Sequence, residues 1–136
     1  MLLVVDANVI VSSLINKGET FKVFKYNDLM RRFTFIAPEF LLAEIDIKKI
    51  LPLTRLSRSD VEKTFSVLVE QIEFIPFSKF YDTLPEAMKL NLKDSPYLAL
   101  ALKYKCPIFS GDKGLKKQTK VEILSPREVL DMLGIT

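Results

Sequence analysis

The 136-residue chain contains no histidine, no tryptophan, one cysteine and only four glycines. The lack of histidine excludes a Ser-His-Asp triad, an imidazole base and a zinc site built from histidines. Cys106 has no partner for an internal disulfide and no imidazole to activate its thiol, which favours a reducing, cytoplasmic location. Any catalysis must therefore use carboxylates, lysines, hydroxyls or a bound metal ion.

Long apolar runs and a basic leader are missing as well. No apolar run reaches about 18 residues, so we expect no membrane span. The first ten residues, MLLVVDANVI, argue against a signal peptide because they include an acid and no basic residue. The apolar content of 49% and the length predict one globular domain over residues 1–136. A net charge of +3 weakly favours an anionic partner.

Short apolar runs alternate with segments of helical periodicity. Leu2 to Val5 is a continuous apolar run, as expected of a parallel strand buried on both faces. Further strands are predicted at residues 33–37, 73–76, 107–109 and 121–124. Helices are predicted at residues 9–15, 21–32, 39–50, 84–90 and 126–133, and others begin near residues 57–60 and at residue 94. This alternation predicts an α/β three-layer sandwich with a central parallel sheet of about five strands in the order 3-2-1-4-5.

Four acidic residues lie where such a fold places ligand sites. Asp6 follows the first strand and Asp112 follows the fourth, so both are expected to face the crevice at the switch point of the sheet. Asp94 opens a helix, and Glu44 lies beside the apolar residues of another. Four carboxylates in one crevice repel each other, and a hard divalent cation resolves that repulsion. Mg²⁺ and Mn²⁺ prefer oxygen ligands and accept phosphate oxygens, which favours phosphodiester chemistry.

Simpler explanations exist for some of these acids. Asp94, with Pro96 in the first turn, equally fits an ordinary acid at a helix N-terminus. Glu39 and Asp46 compete with Glu44 for the second position. Glu39 is explained by its helix N-terminus, and Asp46 points to a different face of the predicted helix.

Four segments resemble the PIN-domain family and, within it, the VapC-like toxin ribonucleases. The segments are VVDANVI, APEFLLAEI, KDSPYLALALKYKCPIFSGDKGL and VEILSP, in the family's order and spacing. The sequence departs from the family where Ala7 replaces a frequent threonine, and where Ser95-Pro96-Tyr97 replaces the small residues usual after the third acid.

The resemblance implies a metal-dependent endoribonuclease. Asp6, Glu44, Asp94 and Asp112 match the family's acidic quartet, which would hold Mg²⁺ or Mn²⁺ and carry catalysis. Asn8 and Ser110 match its supporting polar residues. A C2 homodimer is also implied, and VapC-like toxins usually have a small antitoxin that blocks the site.

Basic residues near these motifs predict the RNA contacts. Lys113, Lys116, Lys117 and Lys120 follow Asp112 along one side of the crevice, and Arg31-Arg32 and Lys48-Lys49 add basic surface. Ordinary solvated lysines explain these positions equally well. We expect the first three lysines of the series after Asp112 to bind the RNA backbone.

Two other functions compete with the nuclease. A catalytically silent PIN-like module that binds RNA or protein predicts the loss of at least one quartet acid, yet all four are present. A phosphoacceptor domain needs a second acid two residues after the first, where this chain has Asn8.

Overall fold

The structure is a computed structural model that describes residues 1–135, with a five-stranded sheet flanked by helices. The strands are β1 Leu2–Val5, β2 Thr34–Pro38, β3 Ile72–Ile75, β4 Ile108–Phe109 and β5 Ile123–Leu124. All neighbouring strands are parallel, and their order is β3-β2-β1-β4-β5. The predicted fold class and strand order are confirmed.

Eight α-helices connect and follow the strands within residues 1–135. They are α1 Ala7–Ile15, α2 Glu19–Met30, α3 Phe40–Glu44, α4 Ile47–Ile50, α5 Arg58–Glu70, α6 Leu84–Leu90, α7 Ser95–Tyr104 and α8 Pro126–Met132. Short 3₁₀ helices lie at Leu51–Leu53, Phe77–Lys79, Tyr81–Thr83 and Lys113–Lys117. None of the helices in the described part of the chain is long and apolar enough to cross a membrane.

Strand β1 is the centre of the hydrophobic core. Leu3, Val4 and Val5 are fully buried, because β2 and β4 flank the strand and helices cover the sheet. Helix α7 contacts β1, β2 and β4 and packs with α6, whereas α1 packs with α2 and α5, and α2 packs with α8. Right-handed crossovers place these two groups on opposite faces of the sheet. Burial on both faces explains why the sequence of β1 is apolar at every position.

The predicted helix at residues 39–50 is broken in the structure. Glu44 ends α3, Ile45 is extended (φ −90°, ψ 115°), and Asp46 begins α4 by accepting a hydrogen bond from the Lys48 N–H (3.0 Å). An aspartate that caps a new helix stops the previous one from continuing. Apolar periodicity did not reveal this break, because the pattern continues through it.

Smaller corrections concern helix starts and strand ends. Helix α1 begins at Ala7 and α2 begins at Glu19, each two residues earlier than predicted. Thr20 donates to the Ser12 hydroxyl (3.3 Å), which ties α2 to α1. Strand β3 begins one residue earlier than predicted, and β4 and β5 are each only two residues long.

Candidate functional site

Asp6 and Asp112 leave neighbouring strands at the same edge of the sheet. Asp6 follows β1 directly, and its backbone N–H donates to the Phe109 carbonyl of β4 (3.2 Å). Because β4 pairs in parallel with β1, the turn after β4 carries Asp112 to the edge where Asp6 lies. This edge is the carboxyl side of the strands, where open α/β sheets bind ligands.

The Ser110 hydroxyl links these two acids. It donates to Asp6 Oδ2 (2.7 Å) and accepts from the Asp112 backbone N–H (3.0 Å), and Ser110 is itself buried. Asn8 Oδ1 accepts a longer bond from the Gly111 N–H (3.4 Å) and lies 3.4 Å from Ser110 Oγ. Ser110 and Asn8 thus hold the turn after β4 against the start of α1.

Asp94 occupies the N-cap position of α7, yet its carboxylate makes no capping hydrogen bond. Only its backbone carbonyl takes part in the helix start, accepting from Tyr97 N–H (3.1 Å) and Leu98 N–H (3.2 Å). The residue is 8% exposed. Burial raises the pKa of Asp94, the Asp112 and Glu44 carboxylates raise it further, and Lys93 opposes them. Capping does not account for this side chain.

Glu44 is the last residue of the short helix α3 and is exposed. Its Oε1 accepts a hydrogen bond from the hydroxyl of Tyr97, which lies in the first turn of α7. The two competing acids have other environments. Asp46 caps α4, and Glu39 lies at the N-cap of α3 and lines an apolar groove.

Asp6 is the acid whose pKa is affected by all three of the others. Burial is the largest cause that raises its pKa, from 3.8 to about 6. The hydrogen bond from Ser110 lowers the pKa, while the charges of Asp94, Glu44 and Asp112 raise it. Glu39 and Asp46 are not among these causes. Four carboxylates from four separate segments therefore lie close enough to influence one proton.

The chemistry of these donors fits a hard divalent cation. All are carboxylate oxygens, the ligands that Mg²⁺ and Mn²⁺ prefer. Among the hydrogen bonds of residues 1–135, none occupies Asp6 Oδ1, Glu44 Oε2 or Asp112 Oδ2, or either carboxylate oxygen of Asp94. In the same residues, no three acidic or cysteine side chains are placed to bind one ion together. Mg²⁺ is commonly held by one or two carboxylates and several waters, so the donor set suits a hydrated ion.

The basic residues divide between the two edges of the sheet. Lys113, Lys116 and Lys117 lie in the 3₁₀ helix that follows Asp112, and Lys116 pairs with Glu128 (3.1 Å) at the surface. Lys120 does not lie beside them. It lines a groove with Lys105 and Cys106, next to the amino ends of β4 and β5.

Arg31 and Arg32 also lie away from the acids. They precede β2, and the Arg32 carbonyl accepts from the amino group of Met1 (3.2 Å) at the start of β1. We expected these two arginines to add basic surface near the acids. That prediction is wrong, because α2 ends at the amino edge of the sheet. Lys48 and Lys49 lie in α4, soon after Glu44.

Tyr97 is the residue that sequence reasoning missed. Its ring is 1% exposed, and its pKa is raised by burial, by its hydrogen bond to Glu44, and by the charges of Glu44 and Asp6. In the sequence it was visible only as a bulky residue after Asp94. A polar-tipped aromatic residue three positions after a helix-opening acid lies on the same face of the helix as that acid, and that spacing was the available signal.

Two solved structures share this fold. One is VapBC2 from Rickettsia felis bound to a DNA fragment from their promoter, with a chain 13% identical, a TM-score of 0.63, and coverage of 92% of this chain and 98% of that one. The other is PAE2754 from Pyrobaculum aerophilum, 15% identical, with a TM-score of 0.67 and coverage of 98% and 90%. Identities this low demonstrate a common fold and nothing finer. No curated protein shows a significant match to the sequence.

A family model described as the PIN domain matches residues 4–129. The matched range contains all five strands except the first two residues of β1, and it includes the four acids of the site. The family that the sequence motifs resemble is therefore confirmed over most of the chain. The protein belongs to the PIN-domain family.

Proposed function

We propose that this chain is a metal-dependent endoribonuclease, built as a single PIN-like domain, that hydrolyses RNA phosphodiester bonds in the cytoplasm. Asp6, Glu44, Asp94 and Asp112 hold Mg²⁺ or Mn²⁺ and form the catalytic centre. The observation that carries this proposal is that the Ser110 hydroxyl joins Asp6 and Asp112 at the carboxyl edge of β1 and β4, where the charges of Glu44 and Asp94 also act on Asp6. Structural acids at helix ends do not need to converge in this way.

A divalent ion held by these residues would supply an activated water and would neutralise charge on the phosphate. The protein's own groups prepare the site for that ion. Ser110 orients Asp6 through one carboxylate oxygen and leaves the other free, and the Gly114 N–H does the same for Asp112 (2.8 Å). Asn8 supports the turn that carries Asp112. Neutral donors orient the carboxylates without cancelling the charge that attracts the cation.

The RNA backbone is held by lysines beside the acids. Lys113, Lys116 and Lys117 are exposed and follow Asp112 directly. The ion pair between Lys116 and Glu128 has both side chains about half exposed, so exchanging Glu128 for a phosphate costs little. Such contacts bind phosphates without reading bases, so the proposal includes no sequence preference.

The proposal also includes protein partners. The similar Rickettsia structure is described as VapBC2, and for this chain we infer a homodimer and a small antitoxin. A groove of about 460 Å³ beside Asp94 supports this, since it is mainly apolar and its Phe40 and Phe77 side chains are about half exposed. Light scattering tests the dimer, and a monomer at high concentration would count against it.

The central experiment combines RNA cleavage with melting curves for wild type and Asp94→Asn. Wild type should cleave RNA with Mn²⁺ and not with EDTA, and Mn²⁺ at about 100 times its Kd should add about 2.7 kcal/mol of stability. Asp94→Asn removes a ligand and a repelling charge. It should abolish cleavage, raise the metal-free melting temperature and reduce the Mn²⁺ shift.

Asp46→Asn is the matched control. It removes one acid near Glu44 while keeping a residue type that caps helices well, so cleavage should persist. If Asp94→Asn cleaves as wild type does, Asp94 is only a helix-terminal acid. If wild type binds RNA but cleaves nothing with either metal, the chain is the silent binding module.

A further inference from the structure

Tyr97 connects two of the segments that carry acids. It is the third residue of α7, three positions after Asp94, and so lies on the same face of the helix as that acid. The ring is buried and meets Phe40 of α3 edge-on, with ring centroids 6.5 Å apart. Its hydroxyl donates to Glu44 at the far end of the same short helix. One side chain thus fixes α3 against the first turn of α7.

Glu44 has little else to hold its carboxylate. It is exposed, it ends a five-residue helix, and the chain becomes extended directly after it. Within residues 1–135, Tyr97 provides the only hydrogen bond or ion pair to its carboxylate. The negative end of a helix dipole also disfavours an acid at this position. A free glutamate side chain populates many rotamers, so a single donor decides where the carboxylate points.

We propose that Tyr97 is a positioning residue that holds Glu44 towards Asp6 and Asp94, an inference that rests on the proposed metal-dependent function. The hydroxyl occupies Glu44 Oε1 and leaves Oε2 available to a cation. A phenol is a neutral donor, so it orders the carboxylate without competing with the cation for charge, as a lysine would. Ser110 has the same relation to Asp6.

Packing alone does not account for the tyrosine. A phenylalanine would fill the same buried space beside Phe40 and would avoid the cost of burying a hydroxyl. The polar tip of Tyr97 instead meets the Glu44 carboxylate, which is one of the four acids of the site.

The test is Tyr97→Phe, which removes one oxygen and keeps the ring. Mn²⁺ affinity is measured by titration of the melting temperature, a readout that does not depend on cleavage. We expect the apparent Kd for Mn²⁺ to rise about 10-fold or more, as is usual when a residue that orients a metal ligand is removed. RNA cleavage should fall at Mn²⁺ concentrations near the wild-type Kd and recover when Mn²⁺ is in large excess.

Tyr104→Phe is the matched control, because it removes the same atom from the same helix near its other end. It should leave the Kd for Mn²⁺ unchanged. In a Glu44→Ala background, Tyr97→Phe should have no further effect on the Kd, since its action passes through Glu44. A Tyr97→Phe variant with the wild-type Kd, or with an equal effect in both backgrounds, would overturn the inference while leaving the nuclease proposal intact. A wild-type protein that binds no Mn²⁺ would overturn both.

Discussion

The four acids fall into two pairs that the fold supports in different ways. Asp6 and Asp112 follow the adjacent central strands β1 and β4, and the buried Ser110 joins them. Glu44 and Asp94 lie at helix ends, and no hydrogen bond reaches the Asp94 side chain among the described residues. These strand-borne acids are therefore fixed by strand pairing together with the hydrogen bonds of Ser110, whereas the helix-borne acids Glu44 and Asp94 depend on the packing of individual side chains.

Burial separates Asp6 from Glu44 but does not follow the two pairs, since Asp94 is 8% exposed and Asp112 is only partly buried. The Asp6 residue is 4% exposed, and the strand before it has no exposed surface over its last three residues, while Glu44 is exposed. Phe109, at the end of β4, packs against Phe24 and Phe35 with ring centroids 5.9 Å and 6.3 Å away. A tight core resists displacement, so Asp6 keeps its position with or without a cation. The position of Glu44 can adjust, and its contribution should be smaller.

The largest expected effect is on the rate of RNA cleavage. It is tested by comparing the Asp6→Asn and Glu44→Gln variants. Asp6→Asn should reduce the single-turnover rate of RNA cleavage at least 1,000-fold, or about 4 kcal/mol of transition-state stabilisation, because Asp6 is buried and water cannot readily take its place. Glu44→Gln should lose only about 100-fold, since water reaches its exposed position and can take its place. Equal losses in the two variants would show that the strand-borne and helix-borne acids do not differ in this respect.

The next largest effect is on the free energy of unfolding, and it follows from the raised pKa of Asp6. A carboxyl group whose folded pKa exceeds its unfolded value loses stability as the pH rises from the unfolded value towards the folded one. For Asp6 that window extends from 3.8 to about 6, and the two-unit difference corresponds to about 3 kcal/mol. In EDTA, Asp6→Asn should therefore be more stable than wild type at pH 7 and about equal to it at pH 3.5.

Urea unfolding of both proteins at the two pH values measures this difference. Other groups act in the opposite sense, because Lys103 lowers the pKa of Asp82 and hydrogen bonding at Ser125 lowers that of Glu128. Subtracting the variant from wild type removes their contribution. If the two proteins show the same pH dependence, the Asp6 carboxylate is not held in a repelling, buried cluster.

The sequence predicted the strand-borne pair well because its signal is local. An apolar run directly before Asp6 and another shortly before Asp112 identify strand ends, and chain order places those ends side by side. The Glu44 segment was harder. Apolar periodicity continues through the break at Ile45, so it could not select Glu44 from Glu39 and Asp46 without the family resemblance.

The hydrogen bond from Tyr97 to Glu44 could not be predicted, because it joins residues 53 positions apart and no local pattern encodes it. The predicted position of Arg31 and Arg32 was wrong for a related reason. A cluster of basic residues in the sequence does not indicate at which edge of the sheet it lies. Arg31 and Arg32 follow α2 and lie at the edge opposite the acids. Positions set by backbone topology were accessible from the sequence, and positions set by long-range side-chain packing were not.

The smallest expected effect is on RNA binding. It is tested by removing pairs of lysines from each of the two edges of the sheet. Lys113→Ala/Lys117→Ala removes two charges beside Asp112, and Lys105→Ala/Lys120→Ala removes two charges near the amino ends of β4 and β5. Each phosphate contact contributes about 0.7 to the slope of log affinity against log salt for a single strand. The first variant should therefore reduce that slope by about 1.4, and the second should leave it unchanged.

Fluorescence anisotropy of a labelled single-stranded RNA in EDTA, over a range of salt concentrations, measures both slopes without cleavage. The two variants change net charge by the same amount, so a general electrostatic effect would reduce both slopes equally. That result would show that RNA responds to the overall charge and would remove Lys113 and Lys117 from the site. A slope reduced only by the first variant would place the RNA backbone along the 3₁₀ helix after Asp112, at the edge that carries the four acids.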